Sequence, residues 1–348
     1  MRVVTTLPQE DLREVPDAVR AAEAAGYDGV ITMENRNNAF LSHVAAALSS
    51  EKLELATAIA IAFSRSPMVV ANESWDLQIA SRGRFVLGIG PQVKPHNERR
   101  FSVPWSPPVP RLREYIQALR AIWTCWEKGE RLNFVGEHYT FTLMTPAFVP
   151  PSKGLPMVPI RLAAVGEHSL RLAGEQADGV LLHPFCSRLY MEKQVMPRLM
   201  EGFAKSGRTR QHFEVNGGGF VASGATEDDV AKIFEWVRER VAFYGSTPAY
   251  WPVLELHGLG DLGRKLNAMS KEGKWKEMTA AISDDIVHLF AAVGTHKQIA
   301  KAIEEHFGGL SDCISASPNS AVPADLPPDV IQDIKRIPTS FQGFKTAW

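Results

Sequence analysis

Residues Leu53 to Gly90 read LELATAIAIAFSRSPMVVANESWDLQIASRGRFVLGIG and hold one complete strand, helix, strand unit. Leu53 to Phe63 is an almost unbroken apolar run. A strand with one wet face alternates, so this run predicts a parallel strand buried on both faces, with its chemistry at the C-terminal end. Ser66 before Pro67 predicts a helix start, because the hydroxyl can accept from a free first-turn N–H and the ring presets the backbone angle. The helix is expected to reach about Ser81. Arg82-Gly83-Arg84 then breaks it, and Phe85 to Gly90 returns as a second buried strand. Its closing Gly88-Ile89-Gly90 lets backbone N–H groups come close to an anion.

The same sentence recurs outward from this stretch. Tyr27-Asp28-Gly29-Val30-Ile31 follows a helical spacing of Val15, Ala18, Val19, Ala22 and Ala25, stopped by Gly26. Gly83 to Leu87, Ala177 to Leu182 and Gly308 to Ile314 repeat a helix end, a tight polar turn and a buried strand. Helices alternating with short apolar strands from end to end predict a parallel sheet, and no change of composition splits the chain. The 348 residues exceed the ~150 of an average domain, but one (β/α)8 barrel takes ~250 and grows by loop insertion. The expected fold is therefore α/β, a single (β/α)8 TIM barrel over 1–348, with an insertion or lid at 246–285 and a C-terminal extension at 318–348.

Within that frame, Val3 to Leu7 is the first strand. Leu112, Tyr115, Ile116, Leu119, Ile122, Trp123 and Trp126 mark one face of a long helix, its tryptophans read as core. Arg131 to Phe141 predicts a hairpin outside the main sheet. Pro159 to Val165 is a strand followed by a helix from Glu167 to Gln176, and Phe213 to Ala222 is another strand, interrupted by Gly217-Gly218-Gly219. Thr226 with Asp229 has N-cap spacing, and its helix packs Val230, Ile233, Phe234, Val237 and Val241. Ser246 to Asp285 fits no barrel period and should hold helices of its own. A short helix is expected around Val330 to Ile337.

With 45% hydrophobic and 22% charged residues and a net charge of −1, nothing suggests a nucleic-acid or membrane surface. Cys125, Cys186 and Cys313 are odd in number and far apart, which argues against a disulfide framework. No apolar signal segment and no run of ~18 apolar residues stands in the chain. A cytoplasmic setting is expected.

Candidate chemistry gathers at the C-terminal strand ends. Gly88-Ile89-Gly90 lacks the third glycine of a dinucleotide fingerprint, since Val93 stands there, and Pro91, Lys94 and Pro95 do not open a helix. In a barrel the turn lies at the mouth, where Gly90 and Gln92 N–H groups with His96 or Lys94 could hold a phosphate; the alternative is a turn needed only for chain reversal. Val165-Gly166-Glu167 opens a helix whose N–H groups favour an anion. Glu34 and Asn35 end the second strand, and His183 follows Leu182. His43 and His96 are placed near the same mouth. The histidines show no paired HxH or HExxH spacing, so no metal site is expected.

AAEAAGYDGVITME (21–34), LATAIAIAFSRSP (55–67), RGRFVLGIG (82–90), AAVGEHSLRLAGEQADGVLLHP (163–184) and AAVGTHKQIAKAIEEHFGG (291–309) together resemble the bacterial luciferase-like oxidoreductases, in the branch that uses the deazaflavin coenzyme F420. The resemblance covers Val3 to Ala316. It implies a barrel with an insertion before the last unit, a flavin-like ring in the C-terminal mouth, a small-molecule substrate and a homodimer. By position it gives Glu34 and Asn35 as the proton-handling pair; Asn35 stands where the family often has histidine, so proton transfer is expected to fall to Glu34, His183 or a substrate-bound water. It places a non-prolyl cis peptide at Ala58-Ile59. It also aligns Gly88, Gly90, Pro91, Gln92 and His96, with Ala164, Val165, Gly166 and Glu167, with cofactor backbone and phosphate contacts. Val93 replaces a catalytic glutamate of the sugar-phosphate-oxidising relatives. The expected reaction is hydride transfer between C5 of F420 and an alcohol, carbonyl or alkene, with an FMN-dependent monooxygenase, or a flavin-binding barrel without turnover, as alternatives.

Overall fold

Short apolar strands and amphipathic helices alternate along the chain in a computed structural model that describes residues 1–317 and 326–348. The first half comprises β1 (Arg2–Thr6), α1 (Val15–Ala25), β2 (Gly29–Thr32), α2 (Leu41–Ser49), β3 (Glu54–Thr57), β4 (Ala60–Ile61), α3 (Pro67–Ala80) and β5 (Phe85–Gly90). The short α4 (Lys94–Arg99), the long α5 (Pro108–Lys128) and the hairpin β6 (Phe134–Val135) and β7 (Thr140–Phe141) follow. Then come β8 (Ile160–Ala164), α6 (Glu167–Gln176), β9 (Gly179–Leu182), α7 (Arg188–Tyr190), α8 (Met196–Ser206) and β10 (Glu214–Asn216). An insertion carries β11 (Phe220–Gly224), α9 (Glu227–Gly245), α10 (Trp251–Leu256), α11 (Gly260–Lys271), α12 (Trp275–Ala280), α13 (Asp284–Phe290), β12 (Ala291–Thr295) and α14 (Ile299–Phe307). The chain ends with β13 (Cys313–Ser315) and α15 (Pro328–Lys335).

Parallel pairing closes the sheet on itself. β3, β2, β1, β13, β10, β9, β8 and β5 succeed one another as staves, and β5 pairs back to β3. This is the eight-stranded TIM barrel expected from the alternation, and the β-branched and aliphatic run of each stave is buried because both faces are covered. The Ser66 hydroxyl accepts from Met68 N–H at the start of α3, and Arg82 and Gly83, both at positive φ, turn its end into β5.

Four local expectations are corrected. Leu53 to Phe63 is two strands, β3 and β4, separated at Ala58-Ile59. Phe213 to Ala222 is also two: Gly217 (φ 88°) and Gly218 (φ 115°) turn the chain out of the barrel after β10, and β11 pairs with β12 in a separate parallel ribbon. Lys94 and Pro95 do open a helix, the short α4, since proline costs little in a first turn. Helix α2 was not expected. The expected 246–285 segment does hold its own helices, α10 to α12 and the start of α13, but the excursion from the barrel is longer and already begins at β11. Of the C-terminal extension at 318–348, residues 318–325 lie outside the described residues.

The two ends of the barrel are treated differently. At the N-terminal end, the first or second residues of four staves place Arg2, Glu54, Arg161 and Glu214 in an alternating ionic set: Arg2 bridges Glu54 (2.9 Å) and Glu214 (2.6 Å), and Arg161 bridges Glu54 (2.7 Å) and Glu214. Burial would raise the Glu54 carboxyl, but Arg161 and Arg2 outweigh it and hold the group below its ordinary value. Phe344 of the C-terminal tail lies over Arg161, 5.4 Å from ring centre to guanidinium. Lys335 of α15 meets Asp28 at 2.8 Å, and the Trp348 indole donates to Leu155 O at 2.7 Å. Floor and tail close this end and leave the C-terminal mouth for ligands.

Arg161 is 1% exposed and Glu214 0%, so removing one partner strands a buried charge. Arg161→Met is expected to cost about 3–5 kcal/mol in urea unfolding, with partial recovery in Arg161→Met/Glu214→Leu. A loss under about 1 kcal/mol, the level of a surface pair, would show that the set does not hold the floor.

Candidate functional site

The C-terminal mouth opens into a cavity of about 1390 Å³. Pockets for one drug-sized ligand run to about 300–1,000 Å³, so this cavity exceeds the size of a single-ligand pocket. One half is barrel: Ile31, Ala58, Ile59, Gly90, Ala163, Leu181 and Ile314 give it an apolar wall. The other half is supplied by the insertion, through Phe220, Trp236, Arg240, Tyr244, Tyr250 and Leu256.

The barrel wall turns on the third stave, where the Ala58-Ile59 peptide is cis, as the family resemblance implied. Two clamps hold the residues around it. Glu34, 7% exposed, accepts from Ile61 N–H (2.6 Å) and from Arg65 (2.8 Å), while its own N–H donates to Ile59 O (3.2 Å). On the other side Thr57 Oγ1 donates to Gly88 O (2.7 Å) and accepts from Gly88 N–H (2.9 Å). A Cβ on Gly88 would stand 1.9 Å from Thr57 O, so only glycine allows this approach; one on Gly90 would press on Ala163 and Ile59 at 3.1 Å.

A second wall is polar through its backbone. Gly166, the N-cap of α6, offers no side chain to the first turn, and Gly166, Glu167, His168 and Ser169 all line the cavity. The N–H groups of that turn give it a fractional positive charge suited to a phosphate. The Glu167 carboxylate is drawn to Arg171 (3.6 Å) and Arg198 (3.5 Å), which offsets its own negative charge.

His183 faces the cavity between two aromatic rings, with centroids 4.3 Å from Tyr244 and 4.7 Å from Tyr250. Its Nδ1 accepts from Phe185 N–H at 2.9 Å, which leaves the proton on Nε2. Burial lowers its pKa to about 4. The imidazole is therefore neutral at ordinary pH and offers one N–H donor.

Of the residues singled out from the sequence, Ala58, Ile59, Gly90, Pro91, Gln92, Ala164, Val165, Gly166, Glu167 and His183 meet in this wall. Four do not. Glu34 lies behind the third stave, its carboxylate engaged by Arg65 and Ile61. Asn35 is exposed, with Oδ1 accepting from Arg36 N–H (2.6 Å) and its carbonyl accepting from Arg100. Gly88 acts through strand spacing, and His96 is exposed on α4. His43 is not at the mouth either: it is buried beneath the second and third staves, bonded to Thr32 Oγ1 (2.9 Å) and Ala56 O (3.1 Å). Trp105 and Trp251 do not line the cavity, whereas Tyr250 and Pro252 do. Among the described residues Glu114, Glu137 and His138 come close enough to share an ion, but Glu114 already accepts three hairpin N–H groups. Trp236, Arg240 and Tyr244 escaped the sequence reading; their spacing of four, one stripe of a helix, was the available signal.

A family model described as luciferase-like monooxygenase matches residues 2–311. An uncharacterised protein of Mycobacterium tuberculosis is 46% identical over 301 residues, covering 86% of this chain and 88% of its own. The 5,10-methylenetetrahydromethanopterin reductase of Archaeoglobus fulgidus is 28% identical over 325 residues, covering 90% and 92%. Two solved structures share the fold: the coenzyme F420-dependent tetrahydromethanopterin reductase of Methanopyrus kandleri, with TM-score 0.73, 18% identity and 97% of both chains covered, and the FMN-bound oxygenating constituent of 3,6-diketocamphane monooxygenase from Pseudomonas putida, with TM-score 0.62, 16% identity and 97% of both chains covered.

A histidine whose folded pKa lies below its ordinary 6.5 supports the fold fully above that pH and loses this support as pH falls toward about 4. Nitrogen NMR of His183 should show the neutral Nε2-protonated ring from pH 8 down to 5, with a midpoint near 4. A midpoint above about 6, the unperturbed range, would contradict its desolvated placement.

Proposed function

This chain belongs to the luciferase-like monooxygenase family, and from that premise we propose that it is an F420-dependent oxidoreductase acting on a small organic alcohol, carbonyl or alkene. The observation that carries the reading is one cavity joining an apolar shelf to an uncapped helix N-terminus. Ala58, Ile59 and Gly90 offer a surface for a fused ring system, and the first turn of α6 offers N–H groups to a phosphate. Pro91, Gln92, Ala164 and Val165 lie between them on the same rim. A putative coenzyme F420-dependent oxidoreductase of Mycobacterium tuberculosis, 27% identical over 308 residues, adds support for the deazaflavin over FMN.

When bound there, the deazaflavin supplies a carbon that gives or accepts a hydride. The chain's own residues do the rest. The His183 Nε2–H donates a hydrogen bond to the substrate oxygen and polarises a carbonyl while the ring stays neutral, and the proton that completes the alcohol comes from a substrate-bound water. Tyr244, Tyr250 and Leu256 cover the reacting region with apolar surface and limit water. Glu34 is a positioning residue that fixes the shelf through Ile61. The second reading, an FMN-dependent monooxygenase, uses the same shelf and the same anion pole with a shorter cofactor.

Anaerobic spectral titration separates the two. F420 is expected to bind at least tenfold more tightly than FMN, and tight FMN binding without F420 binding would overturn the first reading. With a turned-over substrate in hand, His183→Ala should lower kcat by about 10²-fold and leave F420 affinity within twofold. An unchanged kcat would remove His183 from the reaction.

The same reading includes a homodimer. Leu41 (53% exposed), Val44 (47%) and Leu48 (77%) stand at i, i+3 and i+7 on α2 and form an apolar face suited to a second copy. Sedimentation should give a dimer for the wild type and a monomer for Leu48→Glu, and a monomeric wild type contradicts it.

A further inference from the structure

The insertion wall carries one fixed positive charge, and the described residues leave it without a counter-ion. Trp236, Arg240 and Tyr244 follow one another at intervals of four along α9 and turn the same stripe to the cavity. The other basic residues of this helix that are ion-paired have partners: Lys232 meets Asp229 at 3.2 Å, and Arg238 meets Glu235 at 2.9 Å and Asp284 of α13 at 2.5 Å. Arg240 makes no ion pair among the described residues. Its Nε is buried without a hydrogen-bond partner, and its guanidinium rests over the Trp236 ring at 5.4 Å. Of the two carboxylates in the wall, Glu167 is engaged by Arg171 and Arg198, and Glu255 is exposed with no ion pair to Arg240.

An unmatched guanidinium in a concave, largely apolar wall is costly unless something else meets it. Its planar fork suits a carboxylate, two N–H groups to two oxygens, and the indole beneath it keeps the fork from swinging. We infer that Arg240 is the recognition point for a carboxylate of the bound ligand, so that the insertion half of the cavity takes an organic acid with an apolar or aromatic body. Tyr244, one position along the stripe and in contact with His183, sets the scale: four helical residues span ~6 Å. The carboxylate thus lies several bonds from the atom that meets His183. Two sources share this chemistry, the substrate itself and an acidic side chain of the cofactor.

The inference deepens the redox reading and rests on it only for which of these is bound, so the test keeps the two apart. The affinities of 3-phenylpropionate and 3-phenylpropionamide are measured calorimetrically on the wild type, Arg240→Met and Arg240→Lys, beside an F420 titration of each. If the substrate supplies the carboxylate, the wild type binds the acid at least tenfold more tightly than the amide. Arg240→Met then abolishes that preference, Arg240→Lys keeps part of it, and F420 affinity stays within twofold. If the cofactor supplies it, F420 affinity falls tenfold or more in Arg240→Met while acid and amide bind alike. A wild type that prefers the acid but does not bind F420 supports the inference and defeats the F420 reading. Arg240→Met affinities within twofold of wild type for the acid and for F420 overturn the inference, as does a wild type with neither acid preference nor F420 binding. Thermal midpoints of both variants, expected within a few degrees of wild type, separate loss of recognition from loss of fold.

Discussion

The third stave of the barrel is held in two pieces by groups on either side of it, and the rest of the site depends on that restraint. Glu34 reaches across from the second stave to take the Ile61 N–H, with Arg65 neutralising the carboxylate, so a buried charge does the work of a missing ladder bond. Thr57 and Gly88 exchange two hydrogen bonds from the fourth stave at a spacing that excludes any Cβ. Between them Ala58 and Ile59 face the cavity. A parallel stave that ran straight would present alternating side chains to the barrel interior; here two consecutive residues, Ala58 and Ile59, line the cavity.

Closing one end of the barrel gives this wall its use. The alternating Arg2, Glu54, Arg161 and Glu214 set fills the N-terminal end, and the tail from α15 to Trp348 lies across it. Space is left at the other end, where the strand C-termini, the first turn of α6 and the insertion converge. Electrostatics then sort the cavity into regions: α6 offers backbone N–H groups, the barrel wall is apolar, and α9 contributes the one guanidinium among the described lining residues. The insertion belongs to the cavity as much as the barrel does, since it carries Trp236, Arg240, Tyr244 and Tyr250.

Much of this was legible in the chain because local signals agreed with the global fold. Ser66-Pro67 marked the start of α3, Glu167 to Gln176 coincided with α6, and Phe85 to Gly90 with β5. The losses have physical causes. Helix α2 keeps Leu41, Val44 and Leu48 on its exposed side, so its apolar stripe does not mark the core. The break at Ala58-Ile59 is invisible in an apolar run; only the resemblance pointed to it. Gly217 and Gly218 were read as a flaw within one strand, whereas their positive φ sends the chain into a second ribbon. Glu34 reads from the sequence as a proton-handling residue at the rim, and nothing in the sequence reveals that Arg65, thirty-one positions on, closes over its carboxylate. The stripe at 236, 240 and 244 was hidden behind the stronger apolar pattern on the same helix.

In the proposed reading the restrained third stave and the first turn of α6 together receive one anionic, fused-ring redox cofactor. A crystal structure of the chain with oxidised F420 tests it most directly. The ring system is expected against Ala58, Ile59 and Gly90, with the phosphate accepting from the N–H groups of the α6 first turn. A ring bound away from that shelf, or a phosphate that leaves the α6 terminus to solvent, would contradict it.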